Sequence, residues 1–169
     1  IVVKRLPVLD DAHRFRLLLR ARRFYASRTR VAGALPFTRD ARVAMQCVRK
    51  SVLVPFAASR MYELVNRVDL YPQFLPWCGG TKVLAESERH KTARIDIDYH
   101  GVRAHFTTDN AMQPPDSIVI TLKDGPFRHL HGEWRFRALG DDGCKIEFEL
   151  AYEFATKLLD RVIGPVFGH

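Results

Sequence analysis

Residues 132–154 read GEWRFRALGDDGCKIEFELAYEF, and this stretch decides the fold. In both of its halves, aromatic and aliphatic residues alternate with charged residues. A period of two is typical of antiparallel strands that bury one face. The stretch therefore predicts a long β-hairpin with a charged side in water and an aromatic side that another part of the chain must cover.

The turn of this hairpin predicts its register. If residues 141–143 form a three-residue loop with Gly143 in the left-handed conformation, Gly140 lies opposite Cys144. A register shifted by one residue would place glutamates against aromatic side chains. The predicted cross-strand pairs are therefore Trp134 with Leu150, Phe136 with Phe148, Arg135 with Glu149, and Arg137 with Glu147.

The remaining sequence predicts a strongly curved antiparallel sheet with helices on its apolar face. Apolar residues recur at helical spacing from Met61 to Val68, which predicts a short amphipathic helix. A second apolar stripe, from Leu158 to Phe167, predicts a C-terminal helix. The other predicted strands are residues 46–54, 81–86, 92–99, 102–110 and 117–123. The fold class is therefore α+β, with about seven strands wrapped on the C-terminal helix.

The net charge of +8 belongs to the first part of the chain. Residues 1–44 hold 11 Lys and Arg against 3 Asp, a balance of +8, whereas residues 45–169 hold 16 basic and 16 acidic residues, a balance of zero. The Arg-rich, acid-poor segment is typical of an organellar transit segment or of a basic arm for RNA or anionic lipid. A third interpretation makes Met45 the first native residue. We predict a basic leader over residues 1–44, disordered or not native, and one domain over residues 45–169.

Cysteine usage and hydropathy predict the compartment. Cys47, Cys78 and Cys144 lack metal-binding or redox spacing, which favours free thiols in a reducing environment. No apolar run is long enough for a transmembrane helix, so we expect any membrane contact to be peripheral. We expect a cytoplasmic bacterial protein, or a mitochondrial one if the leader is a transit segment.

Three blocks of sequence resemble a known family. PFAASRMYELVNRVDLYPQFLPWCGG, DGPFRHLHGEWRF and CKIEFELAYEF occur in the order found in the coenzyme Q-binding START-type proteins, which are similar to polyketide cyclases and dehydrases. The resemblance spans residues 46–167. It implies a helix-grip fold, in which a curved sheet wraps a long C-terminal helix around an apolar cavity. It also implies binding of ubiquinone or a related isoprenoid lipid, or, as in the bacterial ribosome association toxin, a block on the association of ribosomal subunits.

Two positions depart from the family pattern. Ala57 stands where members usually have a polar residue, so we expect the first helix to lack a side-chain cap. The closing helix of members runs beyond the equivalent of His169, so we expect the C-terminal helix of this chain to be truncated.

The candidate ligand-binding residues are aromatic. Most of them fall on the predicted concave face, and Trp77 and Phe127 fall at strand ends, where we expect the cavity mouth. Ordinary core packing is the competing interpretation for each of them. Covering about 400 Å² of apolar ligand would contribute on the order of 10 kcal/mol before association costs, enough for roughly micromolar binding. The candidates are Trp77, Tyr99, Phe106, Phe127, Trp134, Phe136, Phe148 and Tyr152.

Catalytic and metal-binding signals are weak. Cys78 precedes a Gly pair but has no histidine near it in sequence, so a nucleophile is disfavoured. His129, His131 and Glu133 share the outer face of a strand, where a solvated polar surface is the stronger interpretation than a metal site. Asp96 and Asp98 also point outward. We therefore expect no enzyme, no metal and no cofactor. A cyclase or dehydratase remains open and would be favoured by an inward-facing acid.

The function predicted from the sequence is that of a carrier or chaperone for ubiquinone in respiratory electron transfer. The alternative is a ribosome-binding inhibitor of subunit association, the toxin of a toxin–antitoxin pair, with the large ribosomal subunit as partner. Basic and histidine side chains that would gather for RNA are Arg128, His129, His131, Arg135 and Arg137. DNA is not expected as a partner, because the neutral domain lacks a basic stripe.

Overall fold

A computed structural model describes residues 45–168, with side chains as far as Pro165. Seven antiparallel strands form one curved sheet in the order β1-β7-β6-β5-β4-β3-β2, which confirms the predicted α+β fold. The strands are β1 Gln46–Val54, β2 Cys78–Glu86, β3 His90–Tyr99, β4 Val102–Gln113, β5 Ser117–Asp124, β6 Phe127–Ala138 and β7 Cys144–Phe154. The helices are α1 Ala58–Asn66, α2 Tyr71–Phe74 and α3 Lys157–Gly168, with a 3-10 turn at Val68–Leu70.

The β6–β7 hairpin is shifted by two residues from the predicted register. Its loop spans residues 139–143 and is closed by a 2.9 Å hydrogen bond from the Leu139 N–H to the Gly143 carbonyl oxygen. Gly140, with φ of 70°, takes the left-handed conformation that the sequence analysis assigned to Gly143. The predicted pairs are therefore wrong, but an even shift keeps each side chain on its predicted face. The observed pairs are Trp134–Phe148, Phe136–Ile146, Arg135–Glu147 and Arg137–Lys145.

The helix α1 packs its apolar side against one end of the sheet. Its N-cap residue, Ala57, forms no side-chain capping hydrogen bond, as predicted. The other end of α1 is attached to the sheet, because the Lys91 ammonium group donates to the Asn66 carbonyl oxygen over 2.8 Å. A lysine near the last carbonyl groups of a helix also interacts favourably with the helix dipole.

The helix α3 begins after Thr156, whose hydroxyl oxygen accepts a hydrogen bond from the Leu159 N–H over 3.3 Å. Ile163 is fully buried, and the Tyr152 hydroxyl donates to the Gly164 carbonyl oxygen over 3.4 Å. Leu158 is 69% exposed, so it does not belong to the buried stripe that the sequence analysis assigned to it.

Several predictions lie outside the described residues. These are the basic leader over residues 1–44 and the side chains of Val166 and Phe167 in the apolar stripe. The truncation of the C-terminal helix stays a prediction. Among the described residues, no helix has both the length and the apolar character needed to cross a bilayer.

Candidate functional site

The inner face of the sheet, defined here as the side that carries Trp134, Phe148 and Leu150, has three zones. The first lies under α1 and is densely covered. Phe136 on β6 is 3% exposed, and its ring meets that of Tyr62 on α1 edge-to-face with centroids 5.7 Å apart. The other buried side chains of this α1 cluster include Val52, Met61, Leu64, Val65, Phe74, Met112, Ile118 and Ile146.

The second zone lies at the α3 end of the inner face, where aromatic rings cover one another. Phe127 stacks on Phe154 at 4.6 Å between centroids and meets Phe106 edge-to-face at 5.4 Å. Tyr152 meets both Phe127 and Phe154 edge-to-face. Ile163 is the one fully buried side chain that the described part of α3 adds to this α3 cluster.

The third zone is a strip between the two clusters. Trp134 and Phe148 stack at 4.2 Å between centroids, yet both remain partly exposed, as do Ile120 and Leu122 on β5. These residues occupy inward positions of central strands, where core residues are normally covered. The central strip of Trp134, Phe148, Ile120 and Leu122 therefore combines apolar surface with access to solvent, which a ligand site requires.

Polar side chains also reach the inner face, and the sequence analysis did not include them. Lys50 pairs with Phe148 in the β1–β7 ladder, and Lys91 pairs with Asn110 in the β3–β4 ladder. The Lys91 ammonium group lies 2.9 Å from a Glu86 carboxylate oxygen, and Lys91 as a whole is 5% exposed. Lys50 could have been recognised, because it has the same parity as Val48 and Val52 in the sequence of β1. Lys91 precedes the predicted start of its strand, so no pattern marked it.

Two further polar atoms are buried near these zones. The hydroxyl of Tyr62 and the side-chain oxygen of Asn110 have no hydrogen-bond partner among the described residues. Such groups typically lower stability by about 1–3 kcal/mol each. Burial raises the pKa of the Tyr62 hydroxyl above its ordinary value, so this group is a neutral donor at pH 7.

The predicted ligand-binding residues fall into all three zones. Phe106, Phe127 and Tyr152 belong to the α3 cluster, and all three are buried. Phe136 belongs to the α1 cluster, while Trp134 and Phe148 form the central strip. Tyr99 and Trp77 pack, partly buried, beside the α3 cluster. Ligand binding by the eight residues stays a prediction, as does the assignment of Trp77 and Phe127 to a cavity mouth.

The outer face of the sheet is a charged surface with many ion pairs. Arg135 Nε donates to a Glu133 carboxylate oxygen over 2.8 Å, and Arg137 Nε lies 3.3 Å from Glu147. His129 and His131 are exposed beside them on β6. The described residues contain no group of three His, Cys, Asp or Glu that could hold a metal ion, so the structure does not support a metal site at His129, His131 and Glu133.

The other candidate catalytic residues have structural surroundings. Cys78 is buried with its sulfur 3.5 Å from the Gly80 carbonyl oxygen, and burial raises the pKa of its thiol, which opposes thiolate formation. Asp96 accepts a hydrogen bond from Arg94, and Asp98 lies 3.3 Å from Arg103. Inward positions of β1, β6 and β7 hold no carboxylate, so the acid that would favour a cyclase or dehydratase is not found there.

Comparison with known proteins decides the family. The chain matches the family described as polyketide cyclase / dehydrase and lipid transport over residues 54–169. The chain belongs to this family. This membership confirms the resemblance inferred from the three sequence blocks. Family membership by itself does not assign an activity, because one fold serves many functions.

Bacterial toxins are among the similar family members. The chain is 42% identical over 125 residues to the persistence and stress-resistance toxin PasT of Escherichia coli O6:H1, covering 74% of this chain and 79% of the relative. It is 43% identical over 124 residues to the ribosome association toxin RatA of Vibrio cholerae, covering 73% and 86%. The mitochondrial coenzyme Q-binding protein COQ10 homolog B of Xenopus laevis is 28% identical over 122 residues, covering 70% of this chain and 50% of the relative.

Solved structures of low sequence identity have the same fold. The aromatase/cyclase Zhui from Streptomyces sp. R1128 superposes with a TM-score of 0.62 at 19% identity, covering 73% of this chain and 87% of that one. A START superfamily protein from Mycobacterium smegmatis superposes with a TM-score of 0.58 at 22% identity, covering 72% and 88%. Likeness at this level of identity establishes the helix-grip fold and nothing about substrates.

Proposed function

We propose that this protein binds the ribosome and inhibits the association of its subunits, with the large subunit as partner. The observation that carries this proposal is the 43% identity to a ribosome association toxin over 86% of that relative's length. The comparisons favour this function, which was the alternative in the sequence analysis, over the quinone carrier. A ribosomal partner would place the protein in the cytoplasm.

The outer face of β6 is the surface on which we expect RNA contact. His131, Arg135 and Arg137 lie on one side of this strand, and residues two apart on a strand are separated by about 6.8 Å. Arg135 and Arg137 are exposed, but each contacts a carboxylate. RNA phosphates would therefore compete with Glu133 and Glu147 for these guanidinium groups, and we expect binding of moderate affinity that depends on salt.

Sedimentation with purified large subunits tests this proposal. The full chain should cosediment at low salt, and the double variant Arg135→Ala, Arg137→Ala should bind about tenfold more weakly with a shallower dependence on salt. A matched control is Arg94→Ala, Arg103→Ala, which removes two arginines of the same face that also contact carboxylates. Equal weakening by both double variants would contradict the assignment of the β6 surface, and no cosedimentation by the unmodified chain would contradict ribosome binding itself.

A second candidate function is binding of an isoprenoid quinone at the inner face. It is supported by the solvent access of the aromatic pair Trp134 and Phe148 and by the similarity to a coenzyme Q-binding protein. The two functions use opposite faces of the sheet, so one chain can have both. Extraction of the purified protein with organic solvent, followed by mass spectrometry, tests this candidate. We expect a quinone that is depleted in Phe148→Asp, while protein without quinone would count against lipid binding.

The expectation that the protein is not an enzyme also stays a prediction. The family includes cyclases and dehydrases, but the relatives of 42% and 43% identity are described as toxins. The residue that pairs with Phe148 on β1 is a lysine rather than an acid, which favours binding of an oxygen-rich group over acid catalysis.

A further inference from the structure

A row of three neighbouring side chains crosses the inner face at the β1 edge of the sheet. Lys50 on β1 pairs with Phe148 on β7, which pairs with Trp134 on β6. Cross-strand neighbours on one face have Cβ atoms about 4.5–5.5 Å apart. A lysine stem is therefore placed directly beside two stacked rings, at the level of the central strip.

The surroundings of this row favour an electron-rich partner. Burial lowers the pKa of Lys50 below its ordinary value, so its ammonium group has lost part of its hydration. An ammonium group has three N–H donors, so Lys50 can donate to a ligand in addition to its contacts within the protein.

We propose that Lys50, Phe148 and Trp134 form the head-group subsite for an amphiphile whose head is a planar ring carrying carbonyl or hydroxyl oxygens, as in a quinone. The ring stacks on the partly exposed aromatic pair, and Lys50 donates a hydrogen bond to a ring oxygen. This subsite rests on the proposed lipid binding and adds to it the orientation of the ligand and a polar residue that fixes it.

The two clusters set the direction of the tail. Toward α1, the next inward residue of β6 is Phe136, which is buried against Tyr62 and leaves no open surface. Toward α3, the inner face continues with the partly exposed Ile120, Leu122 and Val48, which are apolar. The isoprenoid tail therefore runs from the subsite toward α3, where it covers apolar surface that water reaches in its absence.

Tryptophan fluorescence tests the position of the ring. The chain has two tryptophans, so the full-length Trp77→Phe variant reports on Trp134 alone. A ubiquinone with a two-isoprene tail should quench this fluorescence with saturation. In the same background, Lys50→Met should weaken binding about tenfold or more, because hydrogen bonds from charged donors are among the stronger ones, and Lys50→Arg should restore most of the affinity.

Arg49→Met provides the matched control, because it removes a cation from the adjacent position of β1 on the outer face. It should leave quenching unchanged within about twofold. Equal affinity of Lys50→Met and Arg49→Met would overturn the subsite while leaving lipid binding intact. If quinone is extracted from the protein but does not quench Trp134, the quinone ring binds elsewhere, and the proposed subsite is also overturned. If no quinone is extracted from the protein and no quinone quenches its fluorescence, the underlying lipid-binding proposal fails instead.

Discussion

The two ends of the inner face are covered in different ways. At the α1 end, a helix supplies the cover, and four of its large side chains are at most 6% exposed. At the α3 end, the sheet covers itself, because Phe106, Phe127, Tyr152 and Phe154 contact one another and the described part of α3 adds one fully buried residue. The α1 end is thus an ordinary helix-on-sheet core, whereas at the α3 end the described residues form a cluster of rings that pack mainly on one another.

The difference explains why the middle of the inner face stays accessible. Trp134 packs beside the α1 cluster and Phe148 beside the α3 cluster, and the two rings stack on each other but stay partly exposed. A packed interior of native density leaves few such surfaces. The spare apolar surface therefore lies between the α1 cluster and the α3 cluster.

The largest expected effect on stability distinguishes the aromatic rings of the α3 cluster from those of the central strip. Phe154→Ala removes a fully buried ring that stacks on Phe127, so we expect a loss of about 3–5 kcal/mol in the free energy of unfolding. Phe148→Ala removes a partly exposed ring, so we expect at most about 2 kcal/mol. Urea denaturation of both variants measures the two losses.

The comparison of the two variants is informative in itself. Similar losses for Phe148→Ala and Phe154→Ala would mean that the central strip is packed like the clusters, which would remove the structural support for a ligand site. Added short-tail quinone should stabilise the unmodified protein and not Phe148→Ala, because a ligand that binds only the native state raises its stability.

The attachment of α1 depends on one buried lysine. Lys91→Met keeps the length of the side chain but leaves the Asn66 carbonyl oxygen and the Glu86 carboxylate without their contact to Lys91. We expect a loss of about 1–3 kcal/mol in the free energy of unfolding and faster amide exchange in the last turn of α1. The exposed Lys82→Met, on the neighbouring strand, should change stability by less than about 0.5 kcal/mol. Equal effects would mean that α1 is held by its apolar side alone.

Much of this architecture was predictable from alternation and helical spacing. The alternation of residues predicted correctly that the inner face carries Trp134, Phe136, Ile146 and Phe148, because successive side chains of a strand point to opposite faces of the sheet. The pairs themselves were not predictable, because a shift of two residues conserves parity and the choice depends on the loop. Gly140 and Gly143 both suit a left-handed position, and sequence alone did not separate a three-residue loop from the longer one that forms.

The candidate site was predicted less completely than the fold. Aromatic residues were chosen by type, which mixes the core residues Phe127 and Phe136 with the strip residues Trp134 and Phe148, since exposure depends on which helix lies above each residue. Lys50 was missed because an inward lysine contradicts the rule that charges stay outside, and Lys91 was missed because it precedes the predicted start of its strand. Their roles follow only from the partners that the fold brings to them.

A smaller effect tests the first turn of α1. Ala57 has the extended backbone conformation of an N-cap, with φ of −56° and ψ of 143°, but offers no side-chain acceptor. Ala57→Ser should therefore raise the free energy of unfolding by about 0.5–1 kcal/mol in urea denaturation. Ala57→Val supplies no acceptor and should not stabilise the protein. Stabilisation by both variants would indicate a packing effect rather than a cap.

The smallest expected effect concerns the sheet itself, on the outer face behind Lys91, where neither helix contributes. The Thr92 hydroxyl donates to an Asp109 carboxylate oxygen over 2.6 Å, and this bond, followed by the charge of Lys123, lowers the pKa of Asp109 below 3.8. A carboxyl group with a lowered pKa in the folded state adds stability above its unfolded pKa and loses it as the pH falls through the folded value. Thr92→Val should therefore have a lower free energy of unfolding than the unmodified protein at pH 7. This difference in the free energy of unfolding should become smaller below pH 3.8. In an Asp109→Asn background, the loss in free energy of unfolding caused by Thr92→Val, measured by urea denaturation, should not vary with pH. If this loss still became smaller at low pH in that background, the pH dependence would belong to another group.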